Sequence, residues 1–284
     1  MDPFLPPELE QEIFEIAAGI HPDTIPTLLR VARRVHEWIS KVKYKIITTA
    51  GEESTLTFRR LKNAIRAKKS KTRPAAFFQN HVLHLFSQDH YLPDLREVMG
   101  ACSGIKNLVL AQPDALPSTL PAALRLRRVG LYLDPFVKMD PRNSMFTLVT
   151  HLDIYDHPDA FPPTNDFAHW WPLLARLPAL THLSIYMGIA MILVPKALVL
   201  CKKLEVLICM HIALPDESEV LEEVHDERFL HMFLHNSQYP ADWVTGARGG
   251  SDFWVRAEAF IGKKRRGEIQ PGLLSATFNT SCSF

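Results

Sequence analysis

Two seven-residue stretches, VTHLDIY (149–155) and LTHLSIY (180–186), repeat one pattern 31 residues apart. In each, apolar and polar side chains alternate, the period of a strand with one face turned to a core. Similar cores recur in HVLHLFS from residue 81, IKNLVLA from 105, LRRVGLY from 126 and LEVLICM from 204. Aligned on Leu85, Leu108, Val129, Leu152, Leu183 and Leu207, the six segments lie 23, 21, 23, 31 and 24 residues apart. Helical stretches such as Leu92–Cys102 and Phe167–Leu177 fill the intervals, and the longest interval carries an insertion at His157–Trp171 rich in Pro, Asp and Trp.

A unit of one short strand and one connection, repeated at this spacing, stacks strands into a parallel sheet with the helices outside. The expected fold is therefore α/β. The period falls in the range of leucine-rich repeats, roughly 20–29 residues, but the asparagine position of a regular array is missing, so an irregular solenoid is expected. The aligned residues point into the core, so the positions beside them point to the opposite, concave face. There the repeat places two columns, one containing Arg128, His151 and His182 and the other Tyr132, Tyr155 and Tyr186. Tyrosine and arginine are enriched at binding hot spots, and tyrosine is also simply a good strand residue. If the protein recognises a partner through the repeat, these six residues are the expected surface.

The first fifty residues read as helices. Pro6 and Pro7 suit a first helical turn, Glu8, Glu10 and Glu12 complement the helix dipole, and Gly19 and Pro22 mark its end. Leu9, Ile13, Ile16 and Ala17 share one face, and a second helix from Pro26 carries a stripe of Leu28, Val31, Ala32, Val35 and Ile39. Such stripes pack on the rest of a chain or on another protein. The order of Leu5, Pro6, Glu8, Leu9, Ile13 and Phe14, followed by Leu28, Val31, Ala32, Arg33 and Trp38, resembles an F-box, and the segment resembles the opening of F-box-like proteins of mushroom-forming fungi. The resemblance implies docking onto a Skp-type adaptor of a cullin–RING ubiquitin ligase, with Leu5, Pro6, Leu9, Ile13, Leu28 and Val31 at the contact. Ala32 stands where a cysteine is common in that family. An apolar face left exposed in the isolated chain would separate a docking helix from one buried as a structural cap.

The chain has 284 residues and a formal charge of +1, so no global field selects nucleic acid or a membrane surface as partner. No membrane span or secretory leader is expected, and the four scattered cysteines read as reduced thiols, pointing to cytoplasm or nucleus. Eight Lys or Arg between Arg59 and Arg73, with Phe58, Leu61 and Ile65 on one face, form a basic amphipathic stretch. It reads as a solvated outer face or as a site for an acidic partner, a nucleic acid or a membrane surface, with no aromatic interleaving to support stacking on bases. Lys263–Arg266 before Gly267 suit a helix C-terminus and also resemble a nuclear signal. Trp243, Phe253 and Trp254 are expected to seal the end of the repeat, and the glycines at 246, 249 and 250 to make a turn capped by Ser251 or Asp252. The tail from Asp242 to Ile269 resembles that of the same fungal proteins.

No nucleophile–base spacing or phosphate loop is present, and no cofactor is expected. His151, Asp153 and Tyr155 share one strand face, but no matching element supplies further ligands, so no metal site is expected either. The parsing is an F-box-like helical module at 1–48, a basic helical linker at 49–80, an irregular leucine-rich-repeat-like region at 81–225 and a C-terminal capping helix and tail at 226–284. The expected function is non-enzymatic recognition of a protein substrate for a ubiquitin ligase. The alternatives are a general protein-binding scaffold of the same fold, and an enzyme using His151, Asp153 and Tyr155.

Overall fold

The computed structural model describes residues 5–49, 58–67, 76–88, 92–111, 121, 123–133, 136, 144–155, 171–211, 224, 226–269 and 275–276. Nine strands form one parallel sheet in which spatial order equals chain order. They are β1 (Ile46–Thr48), β2 (His84–Ser87), β3 (Asn107–Leu110), β4 (Arg128–Tyr132), β5 (His151–Tyr155), β6 (His182–Tyr186), β7 (Val206–His211), β8 (Phe229–Phe233) and β9 (Ser275–Ala276). The register is the one the repeat predicts. Leu85 pairs with Leu108, Leu108 with Val129, Val129 with Leu152, Leu152 with Leu183, and Leu183 with Leu207. Because side chains alternate along each strand, this column puts one apolar ladder on one face of the sheet.

That face packs beneath α4 (Phe58–Ala67), α6 (Leu92–Ala101), α7 (Trp171–Ala175) and α8 (Met187–Leu200). Its core joins the leucine ladder to Phe58, Leu61, Leu95, Val98, Leu174 and Val194. The basic amphipathic stretch is accounted for in part. Phe58 and Leu61 are buried, Lys62 pairs with Asp94, and Arg66 pairs with Asp94 and Glu97, fastening α4 to α6. Lys68–Arg73 lie outside the described residues, as does nearly all of the insertion at His157–Trp171.

The opposite face carries a second helical layer. A turn that includes Gly249 at φ +88° joins α9 (Tyr239–Ala247) to α10 (Phe253–Arg265). Asp252 caps α10 by accepting from the Val255 amide at 3.0 Å, as expected from the sequence. Trp243, Phe253, Trp254, Ala257 and Ile261 lie in one cluster with Phe86, Val109, Ile208, Met210, Leu230 and Met232. These aromatics were expected to close the end of a solenoid; they cover the broad second face of the sheet instead. Parallel sheets are characteristically covered on both sides, and the near-continuous apolar runs of β3 and β7 meet that requirement.

The N-terminal helices are α1 (Pro7–Ile20), the short α2 (Ile25–Leu28) and α3 (Arg33–Lys45), with α5 (Phe77–His81) preceding β2. The expected second helix is thus two, separated at Ala32, whose backbone is extended (φ −159°, ψ 159°). Ala18, Ile25, Val35 and Ile39 form a small core of their own, with Phe14, Leu28, Leu29 and Trp38 packed around it. Three strands lie outside the repeat pattern: β1, β8 and the short β9. β1 continues α3 after Lys45, and β8 pairs Phe229 with Leu207.

Candidate functional sites

The residues expected to contact an adaptor fall on the outside of the N-terminal module. α1 directs Ala18 and Phe14 inward. Helical spacing then leaves Leu9, Ile13, Ile16 and Ile20 to solvent, with Ile13 55% and Ile20 66% exposed. Leu5, Pro6 and Val31 are also exposed, whereas Leu28 is partly buried against the module's core. Arg34 clamps the start of α1 to α3 through a bidentate pair with Glu10, at 2.8 and 2.9 Å. The apolar stripe is therefore held in place with no apolar cover among the described residues. Between this module and the main sheet lies a groove of about 860 Å³, lined by residues that include Ile16, Ile20, Lys41, Lys45, Ile46 and Arg248.

The second expected surface is present as a pair of columns but is not open. Arg128, His151 and His182 are Cα partners in succession, and Tyr132 pairs with Tyr155. Tyr155 and Tyr186 are buried beneath α9 and α10, His182 is buried, and His151 and Tyr132 are partly buried. Arg128 donates to Asp252 at 2.7 Å. The expectation of an exposed concave ridge formed by these six residues is thus corrected. The strand pattern shows which side chains share a face; it does not show that a later helix layer lies on that face.

Beneath α9 the layer encloses a polar relay. Tyr155 donates to the Tyr239 hydroxyl, which donates to Asp153 Oδ2 at 2.7 Å. Asp153 is buried, and burial pushes its carboxyl up to about 6 despite the Tyr239 hydrogen bond that favours the anion. Tyr155 also explains a glycine. A Cβ on Gly130 would lie 2.5 Å from the Tyr155 hydroxyl, so the relay needs a bare backbone on β4. The adjoining cavity is about 20 Å³. It has room for about one water.

Two groups of possible metal ligands occur among the described residues. On β7 and β8, Cys209 Sγ is 3.7 Å from His211 Nε2, which is 2.8 Å from His231 Nδ1. Burial pushes the Cys209 thiol up to about 12 and the His231 imidazole down to about 4. On β5 and β6, His151 and His182 stack with ring centroids 4.1 Å apart, and Glu258 of α10 lies beside both. Sequence reasoning found His151 and His182 but missed Glu258 and Tyr239, and read Asp252 only as a helix cap, because only the folding-back of α9 and α10 brings those residues to the sheet. The one available signal was the apolar character of Phe86, Val109, Ile208 and Met210, which called for a cover. Compared with known protein families and with curated proteins, the chain matches no family and no curated protein.

Proposed function

We propose that this chain is a non-enzymatic protein-interaction subunit, in which an F-box-like N-terminal module docks on a Skp-type adaptor of a cullin–RING ubiquitin ligase and a degenerate leucine-rich-repeat body positions a bound protein for modification. The observation that carries this reading is the exposed apolar stripe of α1 at Leu9, Ile13, Ile16 and Ile20, with Leu5 and Val31 also exposed. The module builds its core without these side chains, so folding alone does not call for leucine and isoleucine there. A contiguous exposed apolar face marks an interaction surface. The contribution of such a subunit is proximity, which requires no nucleophile in the chain.

The test is a titration of the full chain against a fungal Skp-type adaptor. Saturable binding at micromolar affinity or tighter is expected, and Ile13→Asp should weaken it at least tenfold while the melting temperature stays put. A folded chain that does not bind overturns the reading. The groove between α1, α3 and α9 favours a second reading, a scaffold of the same fold with no ubiquitin role. That reading predicts no adaptor binding, so the same titration separates the two.

A further inference from the structure

α10 lays Glu258 beside the point where His151 of β5 and His182 of β6 are Cα partners. The two imidazoles are nearly parallel, with 9° between their planes, and Trp254 packs edge-on against both at 5.1 and 5.9 Å. Each ring is held from behind in the same way. The Thr150 hydroxyl is 2.8 Å from His151 Nδ1 and 3.2 Å from the Arg127 carbonyl. The Thr181 hydroxyl is 2.8 Å from His182 Nδ1 and 3.3 Å from the Thr150 carbonyl. A hydroxyl that donates to the carbonyl accepts from Nδ1–H, which leaves each Nε2 as a bare lone pair.

Both Nε2 atoms are buried, and neither has a hydrogen-bond partner among the described residues. Glu258 Oε1 lies 3.0 Å from His182 Nε2 and 4.0 Å from His151 Nε2, without hydrogen-bond geometry to either. Three Lewis-basic atoms therefore lie within 4.8 Å of one another around one small space, with Arg128, itself paired to Asp252, as a neighbouring cation. Metal–donor lengths of ~2.0–2.2 Å at tetrahedral angles put such donors roughly 3.3 Å apart, between the two separations seen here. The Glu258 side chain is 48% exposed, so the space communicates with solvent on that side.

We propose that His151 Nε2, His182 Nε2 and the Glu258 carboxylate form a binding site for a divalent transition-metal ion of the zinc class. Imidazole and carboxylate donors suit such an ion, and the threonine hydroxyls behind the rings fix their tautomer and orientation. The ion joins α10 to β5 and β6 and so fastens the helical cover to the sheet. The cluster of Cys209, His211 and His231 is the natural control. Its two nearest nitrogens already satisfy each other at 2.8 Å, and its thiol resists ionisation.

The test uses the metal-stripped full chain, titrated with Zn²⁺ in competition with a chromophoric chelator and melted with and without the ion. One equivalent bound and a melting temperature raised by the ion are expected. Glu258→Gln and His182→Asn, each confirmed as folded by circular dichroism, should each lose at least tenfold in affinity, whereas His231→Asn should not. Co²⁺ in place of Zn²⁺ should show no thiolate-to-metal charge-transfer band. A folded chain that takes up no Zn²⁺ overturns the proposal. So does uptake that survives His182→Asn but fails in His231→Asn, or a thiolate band that moves the site to Cys209.

Discussion

The helices at the two ends of the described chain treat their apolar residues in opposite ways. α9 and α10 press Trp243, Phe253, Trp254 and Ile261 onto the sheet, where they meet Phe86, Val109 and Ile208. α1 buries Ala18 and leaves Leu9, Ile13, Ile16 and Ile20 in water. Both segments are amphipathic in sequence, so amphipathicity alone does not say whether a stripe belongs to the fold or to a partner. What separates them is the receiving surface. The second face of a parallel sheet is apolar and must be covered, whereas the three N-terminal helices close a core of their own and need nothing further.

The contrast is broken first at α10. Phe253→Ala removes a fully buried ring from the cover and should cost about 3–5 kcal/mol, read as a lower denaturant midpoint. A loss below about 1 kcal/mol would mean that the cover contributes little to stability.

Asp153 tests the same layer through pH. Its folded value, about 6, lies above the roughly 3.9 of an unfolded aspartate. The folded state thus holds the proton more tightly, and the stability this contributes is complete below the unfolded value and lost as pH rises through 6. Relative to the parent, Asp153→Asn should therefore gain roughly 2 kcal/mol between pH 4 and pH 7, because a tenfold difference in proton affinity is worth about 1.36 kcal/mol. The buried histidines slope the other way, but they are common to both chains, so the difference isolates Asp153. A pH-independent difference would place the carboxylate in a wetter setting than the relay from Tyr155 and Tyr239 implies.

The smallest effect is expected on α1. Ile16→Asp should change stability by no more than about 0.5 kcal/mol, because the side chain is exposed and contributes little to the module's core. A loss comparable to that of Phe253→Ala would assign the α1 stripe to the fold and remove the support for docking.

Much of the sheet was legible because its signal is periodic. Six leucine or valine positions at near-constant spacing determine which residues are neighbours, and the observed pairing follows that column without a slip. β1 was not legible, since Ile46–Thr48 is a three-residue run continuous with α3. β8 lacks the Leu-x-Leu core, as Phe229 takes the aligned place. The helical cover was invisible to a local reading because its contacts span long separations, 86 residues from Asp153 to Tyr239 and 124 from Arg128 to Asp252. For the same reason the histidine pair was found without its carboxylate.

The order of the sheet has a consequence for synthesis. Each strand from β2 to β8 pairs with the one made just before it, so the sheet can grow as the chain leaves the ribosome. Its second face cannot be closed in step. Phe86, Val109, Tyr155 and Ile208 must wait until Tyr239–Arg265 has been translated. At about 5–20 residues per second, the interval between β2 and α10 is on the order of ten to thirty seconds. Throughout it the nascent chain presents a broad apolar wall, the kind of surface that chaperones shield.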